Sequence, residues 1–320
     1  MKKILITGGL GFIGSYLAED CVKKEYDVTI VTRSKGKIDN ISKIADSIKL
    51  IIEDVANIDE EVIGFDYIFH LAGSTDNYSI IEGKPYKDIQ MNCVSTIALL
   101  EAIRKHNPTV RLIYASTFFV NGHVDKLPVD ENTPCKPLGL YGATRLAGEN
   151  FCHIYHNIFD LDVVIARFCN VFGPKERGDD KKKAGFNYLI KQAVENNQIN
   201  IYDGGNFFRD YIYVTDVSSA CLTIAEKGDT NKIYYVGLSS FTKFKELIDI
   251  IVKYTEVKTE SILPPDFHKR VGIKDFVCDN SELKKLGWKP KISLEEGIQK
   301  TIQYYQEMTI KGDKVGPGPD

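Results

Sequence analysis

Short runs of β-branched and apolar residues recur through the first half of the chain, at Lys3 to Thr7, Asp27 to Thr32, Ile48 to Ile52, Asp66 to His70, Val110 to Ala115 and Asp162 to Ala166. Each is nearly continuous in hydrophobicity instead of alternating, as expected of strands covered on both faces. Between several of them, over Phe12 to Lys23, Lys87 to Lys105 and Tyr141 to Asn157, apolar residues return at helical spacing. This alternation predicts an α/β fold built on a doubly wound parallel sheet. Beyond about Arg167 the pattern loosens. Strands at Asn200 to Tyr202 and Lys232 to Val236 mix with helices at Ala184 to Glu195, Val214 to Glu226, Lys243 to Tyr254 and Leu294 to Glu307, which predicts a smaller C-terminal α+β lobe. The expected division is a sheet domain over residues 1–166, with strands returned to it from about 210–236, and a lobe over 167–310. Residues 311–320 carry Gly312, Gly316, Pro317, Gly318 and Pro319 with no apolar face, and are expected to be disordered.

Charge narrows the partners. The 41 basic and 44 acidic residues are spread evenly and leave a formal net charge of −3, so no basic field exists to hold nucleic acid or an anionic membrane. No run approaches the ~20 apolar residues that span a bilayer. Seven cysteines, scattered and never in a CxxC pair, read as free thiols of a reducing, cytoplasmic compartment, and no metal site is predicted.

The stretch Thr7-Gly8-Gly9-Leu10-Gly11-Phe12-Ile13-Gly14 lies between the first strand and the first helix. In that position Gly8 permits a tight turn, Gly11 lets backbone N–H groups approach a pyrophosphate, and Gly14 lets helix and strand pack closely. The predicted ligand is a dinucleotide. Arg33, Ser34 and Lys35 end the second strand, where an acid would accept bonds from a free ribose 2′-hydroxyl. A guanidinium suits a 2′-phosphate better, so NADP(H) is preferred over NAD(H), which stays possible.

The glycine spacing, together with Asp54-Val55 after the third strand, His70-Leu71-Ala72-Gly73 after the fourth and Asn92 further on, resembles the extended short-chain dehydrogenase/reductases, the nucleotide-sugar epimerase/dehydratase branch. The resemblance implies that Asp54, Val55, Leu71 and Ala72 border the cofactor, as do Phe12 and Ile13. His70 is read as a satisfied histidine at a strand end. Ser116-Thr117 after the fifth strand and Tyr141-Gly142-Ala143-Thr144-Arg145 opening a helix resemble that family's Ser/Thr and Y-x-x-x-K groups. The resemblance implies that the Tyr141 phenol exchanges a proton with a sugar hydroxyl, that Thr117 hydrogen-bonds the same oxygen, and that Arg145 does the work of the usual lysine, holding ribose hydroxyls and drawing the phenol's affinity for its proton down. Tyr141 and Arg145 are one helical turn apart and share a face. Arginine keeps the charge but is bulkier and planar.

Phe118-Phe119 stand where 4,6-dehydratases of the family carry an Asp-Glu pair, and phenyl rings transfer no protons, which argues against dehydration. Arg167-Phe168-Cys169-Asn170-Val171-Phe172-Gly173-Pro174 and Arg209-Asp210-Tyr211-Ile212-Tyr213-Val214 resemble the family's R-x-x-N-x-x-G-P and R-D-Y-x-x-V segments. They imply that Asn170 and Arg209, with Arg270 from a looser match, hold the diphosphate of a nucleoside-diphosphate sugar. A homodimer pairing the helices at Lys87 to Lys105 and Tyr141 to Asn157 is implied likewise. The basic end of the second strand and the Ser-Thr-Phe-Phe stretch favour reduction of a 4-keto sugar by NADPH. An NAD-dependent 4-epimerase stays open, as does a nucleotide-binding scaffold in which Arg145 has abolished turnover.

Overall fold

The structure is a computed structural model that describes residues 1–311 except 77–79, 81, 177, 180–184 and 197. Seven parallel strands form the main sheet: β1 (Lys3–Thr7), β2 (Asp27–Thr32), β3 (Ile48–Ile52), β4 (Tyr67–His70), β5 (Arg111–Thr117), β6 (Val163–Phe168) and, after three short strands elsewhere, β10 (Ile233–Val236). Their order is β10-β6-β5-β4-β1-β2-β3. The chain therefore winds outward in one direction from β1 through β2 and β3, then in the other from β4, and the reversal falls between β1 and β4. At that switch point Thr7 is in register with His70, so the loops after both strands open into one crevice, the place where an α/β sheet of this kind takes its ligands.

Apart from the edge strand β3, the strands are largely buried because helices cover both faces. Against one face pack α1 (Phe12–Lys23) and later α6 (Val214–Lys227). The other is covered after the short α2 (Pro85–Asp88) by α3 (Ser95–His106) and α4 (Leu140–Phe159). Two apolar cores result. One gathers Ile4, Ile6, Leu17, Ile30 and Val217, the other Leu5, Val31, Leu99, Leu112 and Ile165. Alternate residues of the same strands divide between them, which is why the strands read as continuous apolar runs.

Lys87 to Lys105, expected as one helix, is helical throughout but changes its winding midway. A π-helical turn, Ile89–Val94, separates α2 from α3. The wider turn places Asn92 in the protein interior, where its Nδ2 donates to Thr144 Oγ1 at 2.9 Å and its Oδ1 accepts from the Ser74 backbone N–H at 2.9 Å.

The C-terminal lobe has its own core of Phe172, Phe186, Tyr211, Phe244, Ile298 and neighbours. It is made from β7 (Asn170–Phe172) paired with β9 (Tyr211–Tyr213), α5 (Gly185–Glu195), β8 (Gln198–Tyr202) paired with β11 (Lys258–Ile262), α7 (Phe244–Thr255), α8 (Asp266–Val271), α9 (Ser281–Lys285) and α10 (Leu294–Lys311). α10 ends at Lys311, and the predicted disorder of the tail beyond it lies outside the described residues. Among the described residues no helix is long and apolar enough to cross a membrane.

Two contacts seat the lobe on the glycine turn. Lys175 reaches back to Glu19 on α1 at 2.6 Å and to the Asn40 carbonyl at 2.7 Å, while Tyr16 donates to the Pro174 carbonyl at 3.3 Å. Asn40 in turn donates to the Leu10 carbonyl at 2.8 Å.

Candidate active site

The glycine turn follows β1 directly. Gly8 has φ +72°, and a Cβ there would lie 2.8 Å from the Ala72 nitrogen, so only glycine fits between the two crevice loops. At Gly14 a Cβ would lie 2.4 Å from the Gly8 carbonyl oxygen, which holds α1 tightly under the turn. Gly11 caps α1 without any side-chain hydrogen bond, and no acid occupies the first turn, where Phe12 and Ile13 stand. The first N–H groups of a 12-residue helix thus face the crevice with a positive dipole end.

The other sequence-predicted cofactor residues follow the ends of β2, β3 and β4, strands of the same sheet. Leu71 and Ala72 are anchored to Thr7 through its carbonyl and hydroxyl oxygens, each at 3.2 Å. Val55 is buried, and Asp54 accepts from the Ala56 N–H at 2.9 Å, fixing the turn after β3. Arg33 and Ser34 are exposed at the end of β2.

His70 is a structural residue, as its sequence position suggested. Thr96 gives its hydroxyl proton to the Asn92 carbonyl at 2.6 Å, so its oxygen accepts from His70 Nε2 at 3.2 Å. Nδ1 then accepts from the Thr7 hydroxyl at 2.7 Å. Burial, aided by the charge of Arg145, pushes the imidazole down to about 3. Because this lies below the ordinary value near 6.5, the unfolded chain takes up a proton that the fold refuses. Stability contributed by the neutral ring is present above pH ~6.5 and is lost on acidification, by roughly 5 kcal/mol by the time pH reaches about 3. We expect urea unfolding of the wild type to lose about 2 kcal/mol more than that of His70→Asn between pH 7.5 and 5. Equal losses would show that His70 does not titrate in this way.

The proton-transfer residues come from β5 and α4. Successive residues of β5 point to opposite sides, and this separates Ser116 from Thr117. Ser116 turns inward, its hydroxyl donating to Glu149. Thr117 ends the strand, and its Oγ1 accepts from the Phe119 N–H at 3.3 Å. The Phe119 ring meets the ring of Tyr141 edge-on, with centroids 5.8 Å apart. Phe119 thereby links Thr117, through its backbone, to Tyr141, through its ring. Gly142 completes the junction, since a Cβ there would lie 2.5 Å from the Phe119 carbonyl oxygen.

Arg145 is buried one turn on. Its Nη1 donates to the Ala115 carbonyl at 3.1 Å, and its guanidinium carbon lies 5.8 Å from the centre of the Tyr141 ring. Nε is buried without a hydrogen-bond partner among the described residues. The extra bulk of arginine over lysine is accommodated at Gly73, where a Cβ would be 2.2 Å from Nη2. An uncapped helix N-terminus, two glycines that let backbone close in, and a buried unsatisfied guanidinium donor form a set suited to an anionic, hydroxyl-rich ligand such as a nicotinamide dinucleotide.

The predicted substrate residues are less uniform. Asn170 donates from Nδ2 to the Asp210 carbonyl at 3.0 Å, which fixes the start of β7. Arg209 is half-buried over the Phe207 ring, 5.0 Å from its centroid, and donates to the Lys274 carbonyl. Burial pulls its guanidinium down to about 10. Arg270 is exposed on α8.

Sequence reading missed a buried group beside these residues. Cys169, Asp210 and Cys278 hold one ligand-type atom each within 4.8 Å of the others. Asp210 already accepts from the N–H groups of Leu238, Ser239 and Cys278 at 2.8 to 3.1 Å and from the Cys278 thiol at 3.2 Å, which accounts for its burial as a clasp between loops. Burial pushes this carboxyl up to about 6.

A parallel sheet with a glycine turn at its switch point and a Thr-Tyr-Arg group at the ends of β5 and α4 defines an extended short-chain dehydrogenase/reductase. The chain belongs to the NAD dependent epimerase/dehydratase family, whose pattern matches residues 4–237. It is 32% identical over 305 residues to a putative UDP-glucose 4-epimerase of Methanocaldococcus jannaschii, covering 94% of this chain and 97% of the relative. Among solved structures it is similar to the UDP-glucose 4-epimerase of Thermotoga maritima with UDP-glucose, at 28% identity and a TM-score of 0.85 over 96% of this chain and 99% of that one. It is also similar to the UDP-glucuronic acid 4-epimerase of Bacillus cereus in complex with UDP-glucuronic acid and NAD, at 26% identity and a TM-score of 0.84 over the same shares.

Proposed function

We propose that this protein is a nucleoside-diphosphate-hexose 4-epimerase. What supports the reading is the linked contacts of Thr117, Phe119, Tyr141 and Arg145, with Arg145 against Gly73, in a chain whose relatives include 4-epimerases. Gly8, Gly11, Phe12, Ile13 and Gly14 would hold the dinucleotide's pyrophosphate, Asp54, Val55, Leu71 and Ala72 its adenosine and ribose path, and Arg145 its ribose hydroxyls. The dinucleotide supplies the site's hydride acceptor and donor. Tyr141 takes the proton from the C4 hydroxyl and later returns it, and the Thr117 hydroxyl fixes that oxygen. To accept that proton Tyr141 must stand as the phenolate, and the positive charge of Arg145 behind the ring is placed to balance it until the transfer neutralises it. Asn170 and Arg209 line the diphosphate.

Epimerisation regenerates the dinucleotide in every turnover, and the relative from Bacillus cereus carries NAD. NAD is therefore our assignment for an epimerase. Exposed Arg33 and Ser34 favour the second reading, a 4-keto-sugar reductase using NADPH, because the pair can grip a 2′-phosphate. Incubation of the purified protein with UDP-glucose and no added cofactor separates the two. Appearance of the 4-epimer supports the epimerase, whereas no isomerisation together with NADPH consumed in step with a 4-keto sugar would replace it with the reductase.

The adjacent helices α3 and α4 leave Ile97, Ile154 and Ile158 exposed, and we assign this face to a homodimer contact, which a monomeric mass in sedimentation equilibrium would rule out.

A further inference from the structure

β5 ends at Thr117 and passes into a short 3₁₀ turn, Phe118–Val120. The two phenylalanines of this turn touch, with ring centroids 4.4 Å apart, but differ in exposure. Phe118 is 3% exposed and packs on Phe276 with centroids 4.7 Å apart, so it belongs to the core beneath the site. Phe119 stays partly exposed, and its ring leans edge-on against Tyr141.

The backbone of Phe119 is pinned on both sides of that ring. Its N–H donates to Thr117 Oγ1 at 3.3 Å, and its carbonyl is pressed against Gly142, the residue after Tyr141. The ring itself is held between two others, Tyr141 at 5.8 Å and Phe118 at 4.4 Å between centroids. Whatever carbon skeleton carries the reacting oxygen must lie against a fixed phenyl wall. Such a wall gives dispersion and C–H contacts to a sugar ring but no hydrogen bond, and a carboxylate set against it loses its water without gaining a partner.

Two neighbouring guanidinium groups are directed to protein acceptors. Arg145 is turned to the Ala115 carbonyl behind Tyr141, and Arg167 of β6 is bound through two nitrogens to Glu149.

We propose that Phe119 is a specificity-determining residue that restricts the site to nucleoside-diphosphate hexoses uncharged on the carbons next to the reacting carbinol, and so excludes hexuronates. This rests on the assignment of Thr117 and Tyr141 as the groups that hold the C4 oxygen.

The test compares UDP-glucose with UDP-glucuronic acid on the full-length protein, by turnover and by calorimetric titration, in the wild type, Phe119→Leu and Phe119→Ser. The wild type should prefer the neutral sugar by roughly 30-fold or more in both affinity and kcat/KM, since an unpaired carboxylate costs about 2 kcal/mol or more. Phe119→Leu, which keeps an apolar wall, should retain most of that preference. Phe119→Ser, which admits water, should narrow it to within about fivefold, read within that variant as the ratio of the two kcat/KM values and of the two dissociation constants.

A wild type that handles the two sugars within about threefold of each other, or a serine variant with an undiminished ratio, overturns the proposal while leaving the epimerase reading in place. Selective binding of UDP-glucose without turnover does the reverse. Failure to bind either sugar overturns both.

Discussion

Tyr141→Phe is expected to lower turnover by about 10²- to 10⁴-fold while leaving sugar-nucleotide affinity within about threefold of wild type. The substitution removes one oxygen and keeps the ring. The ring meets the edge of Phe119 at 5.8 Å and the guanidinium of Arg145 at 5.8 Å, and the phenol also shares a hydrogen bond with Arg145. Without the phenol Arg145 keeps its bond to the Ala115 carbonyl and the room that Gly73 makes for it. The variant should therefore fold and bind normally, and the loss should appear in kcat. Steady-state kinetics with a calorimetric Kd on the same preparation gives the decisive pair of numbers. A kcat within about threefold of wild type would mean that another group moves the proton, and the roles assigned to Thr117 and Arg145 would fall with that of Tyr141.

This pocket shows how far a one-dimensional reading carries. The strands of the main sheet were legible because burial on both faces leaves almost no polar interruption, as in Ile4 to Ile6 or Val163 to Ala166. The glycine turn was legible because its chemistry is local: Gly8 and Gly14 answer to contacts within the same strand-turn-helix unit and the adjoining loop. Tyr141 and Arg145 share a helix, so their spacing alone placed them together.

What depended on distant partners was not legible. Two adjacent phenylalanines look alike in sequence, yet only the packing of Phe276 under one and Tyr141 beside the other divides them into core and pocket wall. Periodicity ran straight through Lys87 to Lys105, since a helix that widens for one turn keeps its apolar stripe, and the burial of Asn92 at that turn gave no signal. The room that Gly73 makes for Arg145 could not be seen either, because it joins residues far apart in the chain.

The same limit hid a buried ion pair. Arg167 reads in sequence as the first residue of a substrate segment, but its guanidinium forms a two-pronged pair with Glu149, Nε to Oε1 at 2.9 Å and Nη2 to Oε2 at 2.7 Å. The two side chains are only 3% and 2% exposed. Further bonds extend the pair: Ser116 donates to Glu149, Arg167 Nη1 to Tyr235 at 3.0 Å, and Tyr235 to Asn121 at 2.7 Å. The chain of bonds ties α4, β5, β6 and β10 together immediately behind Thr117. Removing one partner leaves a buried charge with nothing to balance it, and Glu149→Ala or Arg167→Ala is each expected to cost about 3–5 kcal/mol of unfolding free energy. Guanidinium denaturation measures this directly. The double variant Glu149→Leu with Arg167→Met should lose clearly less than the two single losses combined, because neither charge is then stranded. Either single variant falling within about 1 kcal/mol of wild type would mean that water reaches the pair and that the end of β5 is held by apolar packing alone. In the expected case the surviving folded fraction of Glu149→Ala should also turn over more slowly, since Ser116 loses its acceptor and the adjoining Thr117 its fixed strand end.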